Sequence, residues 1–282
     1  MEDFSRYNGE GTVLRSVQLR MLELLRELDR ICRENGIRYW IAYGTLLGAV
    51  RHKGFVPWDD DLDVFIHEDD FEKFCLVCEK SLPQWVFLQT GKTDPDSNLY
   101  RDFVRLRDNQ SLIIQKHDSF MLKYNKGIFI DVFKAKTFPN APKCVLKYLL
   151  KRISYAYGFL HNPRQVNMKN IVSYFLYPLS YYFHKLILFV ICALGDKSCY
   201  GASGEVSVYG SVYPKEETFP LKEIEFENYR FYAPNDADSF LKRVYGNYWE
   251  IPPKNRRKAC ALYAVIDIKK CVVLQEETSF PS

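Results

Sequence analysis

Apolar positions at Leu14, Val17, Met21, Leu24, Leu25, Leu28 and Ile31 recur three and four residues apart. That spacing gathers one face of an α-helix, so residues 13–34 are predicted as an amphipathic helix, stopped by Asn35-Gly36. The pattern then changes. Tyr39 to Tyr43 is a continuous apolar run of the length of a buried strand, Gly44-Thr45 reads as a tight turn, and Leu46 to Val50 starts a short helix. A second apolar run, Val64 to Ile66, predicts a second strand. Asp69 and Asp70 favour the start of another helix through about Lys80, with Pro83 just beyond it. Alternation at residues 100–108 predicts a strand, as do the apolar dipeptides that flank Asp131. After a Gly/Ser-rich turn region at 201–213 comes a short alternating strand, Ile224 to Phe231. The helix after it presents Leu241 and Val244, with Asp236 or Asp238 as its cap and Gly246 at its end. Strands interleaved with helices predict an α/β class (α+β in its segregation), a mixed sheet flanked by helices.

Composition changes the picture in one region. The net charge of +4 is too small to argue for nucleic acid, so where the charge sits matters more. From Val132 to Gly195 there is no Asp or Glu but nine Lys or Arg, and Tyr and Phe are dense. Basic, aromatic-rich helical segments of this kind have the composition of a surface that lies on an anionic membrane. The longest apolar part, 171–194, is broken by Pro178 and by His184-Lys185, which makes it marginal as a span. Residues 143–194 are therefore predicted as a peripheral membrane contact, the alternative being a helical subdomain that buries its aromatics against the sheet. No nucleic-acid partner is expected, because no RNA- or DNA-binding motif accompanies the charge. The first residues lack the basic start and apolar core of a secretory signal, so the expected place is the cytoplasm, at the inner face of the membrane. Eight cysteines without repeated spacing fit that compartment, and Cys75 and Cys78 read as core residues, not as zinc ligands.

The candidate chemistry sits in residues 40–66, WIAYGTLLGAVRHKGFVPWDDDLDVFI. Asp59, Asp60, Asp61 and Asp63 repel one another, and each charge raises the cost of ionising the next. On a strand Asp61 and Asp63 share a face, a pair that suits Mg²⁺ or Mn²⁺, which prefer oxygen ligands. Gly44 and Thr45 would let a backbone approach a phosphate, and Arg51 and Lys53 are candidate nucleotide-binding cations. The plainer reading of the acidic cluster is a solvated loop that caps the Lys and Arg nearby. Further on, alternation puts Arg101, Arg105 and Arg107 on one strand face, where Arg105 or Arg107 could bind phosphate, or simply pair with Asp102 or Asp108. Asp131, between apolar dipeptides, has to be buried or at a strand end, and a buried carboxylate needs a partner.

The string GTLLGAVRHKGFVPWDDDLDVFI resembles the signature of the LicD family, which is related to the fukutin-type phosphotransferases and to the wider nucleotidyltransferase fold. Similar segments stand at 104–108, at 127–133 and at 231–253, where Tyr245-Gly246-Asn247-Tyr248 takes the place of the family's Tyr-Gly-Asp-Tyr. The resemblance implies a nucleotidyltransferase-like core at 13–135, an added helical region at 136–200, the rest of the domain at 201–253 and an extension at 254–282. It matches Gly44, Thr45, Asp61 and Asp63 to the turn and the Asp-x-Asp strand, and Asp131 to a third carboxylate that is either a metal ligand or the base for the acceptor hydroxyl. The implied activity is Mg²⁺- or Mn²⁺-dependent transfer of phosphocholine from CDP-choline to a sugar of a cell-surface glycan, such as lipopolysaccharide or capsule, or of its lipid-linked precursor. Alternatives are a CDP-ribitol or CDP-glycerol phosphotransferase, a nucleotidylyltransferase, and from another class an inactive membrane-associated scaffold of glycan assembly. The complete set of carboxylates argues against the scaffold.

Overall fold

The computed structural model describes residues 3–97, 99–116, 118, 123–161, 171–203 and 212–267. A short turn of helix, α1 (Ser5–Asn8), precedes α2 (Val13–Asn35), whose register is the predicted one. Thr12 caps α2 by accepting a hydrogen bond from the Arg15 amide, and Gly36 closes it in the left-handed conformation at φ 61°. Met21, Leu24, Leu25, Leu28 and Ile31 are fully buried by the sheet they cover. Burial on that scale, roughly 1.5–3 kcal/mol per large side chain, is what makes α2 a fixed backing for the strands.

Those strands are β1 (Tyr39–Ile41), β2 (Asp63–His67), β3 (Val86–Gln89), β4 (Phe103–Asp108) and β6 (Phe129–Phe138), in the order β1-β2-β6-β4-β3. Between them lie α3 (Tyr43–His52), α4 (Phe71–Ser81) and β5 (Leu112–Gln115). β2 and β6 run parallel, and the other neighbours in that order are antiparallel. The far half of β6 pairs antiparallel with β7 (Cys199–Gly201), which pairs in turn with β8 (Tyr213–Pro214). The helices α5 (Lys143–His161) and α6 (Ile171–Leu194) pack together as a hairpin between β6 and β7. The boundaries expected at 135/136 and 200/201 therefore fall inside β6 and β7. Cys199–Gly201 and Tyr213–Pro214 extend the first sheet, and the helical hairpin is an insertion between two of its strands.

After α7 (Lys215–Thr218) comes the pair β9 (Lys222–Phe226) and β10 (Tyr229–Ala233), then α8 (Ala237–Tyr245), and last β11 (Ala261–Val265), which pairs with β5. Asp236 caps α8 as expected, accepting from the Ser239 amide at 3.0 Å. Two local expectations change. The single strand expected at 224–231 is a hairpin whose turn residues, Glu227 and Asn228, take φ of 51° and 64°. Two successive left-handed residues make the tight turn that fits strand twist, but Glu-Asn lacks the glycine that usually announces it. The first strand also ends at Ile41. Tyr43, at φ 43°, already belongs to α3, so Gly44 and Thr45 lie in the first turn of a helix and not in a free turn. Of the C-terminal extension only residues up to 267 are described, and the part of the Gly/Ser-rich region at 204–211 lies outside the described residues.

Candidate active site

The acidic cluster divides by alternation. Asp60 is buried and turned to the C-terminal segment, where its carboxylate accepts from the Cys260 amide at 2.8 Å and the Ala261 amide at 2.6 Å. It anchors β11. Asp59, Asp61 and Asp63 go the other way, toward the start of α3. The Asp63 amide donates to the Thr45 hydroxyl at 2.8 Å, the Gly44 amide donates to the Asp63 carboxylate, and the Asp59 and Asp61 carboxyls share a hydrogen bond. A Cβ on Gly44 would stand 2.7 Å from Asp59 Oδ2 and 3.7 Å from Asp61 Oδ1, so only glycine lets α3 and the carboxylates approach this closely.

Sheet pairing supplies the rest. Asp63 of β2 stands directly opposite Asp131 of β6, and Asp131 stands opposite Arg105 of β4. One rung across three strands thus reads carboxylate, carboxylate, guanidinium. Arg105 Nε donates to Asp131 Oδ1 at 2.6 Å, and its guanidinium lies 4.3 Å from the centre of the Phe129 ring. Burial, followed by the charge of Asp61, holds the pKa of Asp59 and of Asp63 well above the usual carboxylate range. The Asp61 pKa is pushed up to about 6, by burial first and then by the charges of Asp131 and Asp60.

The other candidates separate by position. Arg107, one alternation step from Arg105, is buried. Its Nε donates to Gln89 Oε1 and its Nη1 to the Gly127 carbonyl, both at 2.6 Å. Burial, then the charge of Arg105, lowers its pKa to about 9. It clamps β4 to β3 and to the start of β6, and Arg105 is the arginine that faces the carboxylates. Arg107→Leu is expected to lower the unfolding free energy by about 2–4 kcal/mol, the cost of stranding buried partners of a charged group. A urea titration would read this, and the folded fraction should keep its activity. Arg51 is half-buried and donates to the Tyr248 carbonyl at 2.7 Å and to His52 at 2.9 Å, which ties α3 to the C-terminal segment. Lys53 is the left-handed C-cap of α3, about 13 Å of helix from Gly44, so the fold does not bring it to the carboxylates. Thr45 positions Asp63 through its hydroxyl. Asp59, which the sequence places in the acidic cluster but not in the expected ligand set, joins Asp61 and Asp63 here; its place two residues before Asp61 on the same side is the signal for it.

The donors suit a hard divalent cation. They are all oxygen, and their charges raise one another's pKa. Among the described residues, however, no three His, Cys, Asp or Glu side chains are gathered into a closed ligand set. Asp131 is engaged by Arg105 and Asp59 by Asp61. Cys75 and Cys78 are core residues, with pKa values that burial raises. Tyr248 is buried and donates to Asp238 at 2.7 Å, so the Tyr245–Tyr248 motif is a packing element.

Residues 36–157 match the family model of the LicD/FKTN/FKRP nucleotidyltransferase domain. The chain is 29% identical over 259 residues to the lipopolysaccharide cholinephosphotransferase LicD of Haemophilus influenzae, an alignment that covers 87% of this chain and 94% of that protein. It is also 43% identical over 53 residues to the human ribitol 5-phosphate transferase FKRP, covering 17% of this chain and 11% of that one. An uncharacterized protein of Rickettsia prowazekii is 45% identical over 76 residues, 27% of this chain and 26% of its own length.

Proposed function

We propose that this chain is a LicD-type phosphotransferase that moves a phospho-alcohol, phosphocholine from CDP-choline, onto a sugar hydroxyl of a cell-surface glycan or its lipid-linked precursor. The observation that carries this reading is the Asp63–Asp131–Arg105 rung, with Asp59 and Asp61 beside it at the N-terminus of α3. Carboxylates gathered at such cost to their ionisation, next to the Arg105 guanidinium, suit a reaction in which charge moves between phosphate oxygens.

In the proposed reaction the acceptor hydroxyl oxygen attacks the phosphorus that bears choline, the bond to the CMP oxygen breaks, and the hydroxyl proton passes to a carboxylate of the cluster. Asp61, Asp63 and Asp131 would hold Mg²⁺ or Mn²⁺. A cation held there would supply positive charge against the charge that builds on the phosphate oxygens. Arg105 lies where its guanidinium can release Asp131 and turn to the leaving phosphate, exchanging one anionic partner for another. Thr45 and Gly44 keep Asp63 in place. Arg107 holds the strand that carries Arg105.

The relatives include both a cholinephosphotransferase and a ribitol 5-phosphate transferase, so the donor has to be tested directly. With Mg²⁺, lipid-linked glycan acceptor and CDP-choline, phosphorus NMR should show CMP that appears only when enzyme and acceptor are both present. CMP from CDP-ribitol or CDP-glycerol alone would keep the phosphotransferase and change the alcohol. Pyrophosphate released from a nucleoside triphosphate would instead establish a nucleotidylyltransferase.

A further inference from the structure

The outer face of helix α6 is apolar. Phe175, Leu176, Leu179, Phe183, Leu186 and Phe189 recur at helical spacing along its outer face, and each is between 57% and 76% exposed. Its His184 and Lys185 point back into the protein, while the Tyr182 side chain is exposed. His184 is buried against Tyr148 of α5 and donates from Nδ1 to the Ser180 carbonyl at 2.6 Å. Lys185 Nζ donates to the Tyr181 hydroxyl at 3.1 Å, and Tyr177 packs against Phe159 of α5 with ring centres 4.2 Å apart. A surface helix in water shows the reverse arrangement, with its apolar stripe toward the core. At about 100 Å² for each of these six side chains, the outer face exposes on the order of 600 Å² of apolar surface, the upper limit for a typical soluble monomer.

The neighbouring helix shows what covers it. α5 exposes Lys143, Lys147, Lys151 and Arg152, three of them one turn apart, and no Asp or Glu occurs between Val132 and Gly195. An apolar face beside a cationic stripe without acids is complementary to a bilayer with anionic headgroups. Helix α6 is long enough to cross a membrane by length and composition. Yet its inner face is committed to α5, whose exposed cations do not belong in hydrocarbon. Its C-terminal end is fixed as well: Leu188 and Cys192 pack with Leu150, Phe138 and Cys199, and Asp196 accepts from the Asn140 amide at 2.8 Å.

We propose that the α5–α6 hairpin docks this protein on the surface of an anionic bilayer, with α6 in the membrane plane, its outer face among the acyl chains, and the α5 cations at the lipid phosphates. The hairpin also touches the edge of the candidate site. Tyr157 packs on Tyr100 with ring centres 5.2 Å apart, and Tyr100 leads into β4, the strand of Arg105. Docking would hold that edge beside the membrane, where a lipid-linked acceptor resides. Only this last consequence rests on the proposed function.

The test is flotation of the purified full-length protein with vesicles of phosphatidylethanolamine and phosphatidylglycerol, and with phosphatidylcholine vesicles as the neutral arm. Wild type should float with the anionic vesicles. Leu179→Glu/Leu186→Glu should lower its partition at least about a hundredfold, since burying one large apolar side chain is worth about tenfold or more. Lys147→Glu/Lys151→Glu should lower it about tenfold or more on anionic vesicles and little on neutral ones. These side chains lie outside the core, so circular dichroism and thermal melting should not change. CMP release with a water-soluble acceptor should also persist, which separates a failure of docking from a failure of the transferase reading. The proposal is overturned if wild type stays unbound, or if the Glu variant floats equally well. It is also overturned if wild type is an oligomer that ignores vesicles and the Glu variant turns into a monomer, because the occupant is then a second copy.

Discussion

Asp61→Asn should abolish CMP release and at the same time make the ligand-free protein more stable. The activity loss is expected to be about a thousandfold or more, the scale for removing a group aimed at charge in the transition state. The stability gain follows from the cluster. Burial, with the charges of Asp131 and Asp60, raises the Asp61 pKa to about 6, against an unfolded value near that of a free carboxylate. A carboxylate with a raised folded pKa binds its proton more tightly when folded. Its penalty is therefore absent below about pH 4, grows as pH rises to about 6, and is complete above that. A shift of that size corresponds to about 3 kcal/mol, or a rise in Tm of about 5 °C for a chain of this length. Melting curves of the metal-free proteins should show Asp61→Asn ahead at pH 7.5 and level with wild type near pH 4. Equal melting at both values would mean that the carboxylates do not repel one another in the free protein. Added Mg²⁺ should raise the Tm of wild type and leave the variant nearly unmoved, which tests the proposed cation without reference to activity.

Arg105→Ala should also remove most activity, about a hundredfold to a thousandfold in kcat, but with the opposite effect on stability. Asp131 would lose its 2.6 Å partner while remaining next to Asp63. A carboxylate left uncompensated there is expected to cost about 1–3 kcal/mol in the metal-free protein. Arg105→Lys should recover part of the stability through its charge but little of the rate, because an ammonium cannot reproduce the planar fork that a phosphate accepts. The decisive measurement is a cycle with Asp131→Asn. If Arg105 acts in stability only through Asp131, the double variant should melt close to Asp131→Asn alone, while its turnover stays low. Full turnover in Arg105→Lys would reduce Arg105 to a structural partner of Asp131 and move the search for the phosphate-binding cation elsewhere.

Helices α2, α4 and α8 were legible because each rests on a local rule: helical spacing of apolar residues, an acidic start, a capping Asp236 with Gly246 beyond. The boundaries that failed were those where distant contacts override local preference. Gly44-Thr45 has the look of a turn, yet it begins α3, because the Asp63 amide engages Thr45 and the Asp59 carboxylate fills the space a side chain at 44 would need. Arg105 and Arg107 are indistinguishable by alternation. One faces the carboxylates and the other is buried, because Gln89 of β3 and the Gly127 carbonyl stand in front of the second. The aromatic density of α6 was visible as composition, but the turning of His184 and Lys185 inward was not, since that depends on where α5 lies.

By itself the sequence determined the mixed α/β class, the same-side projection of Asp61 and Asp63, and the acid-free basic stretch, all of which depend on neighbours within a few residues. Only the tertiary structure decided that Asp63, Asp131 and Arg105 form one rung and that Asp60 belongs to β11 instead. Strand pairing is set by which faces can be buried together. A shift of one residue between β2 and β6 would turn Asp131 away from Asp63, and no local pattern in either strand specifies that register.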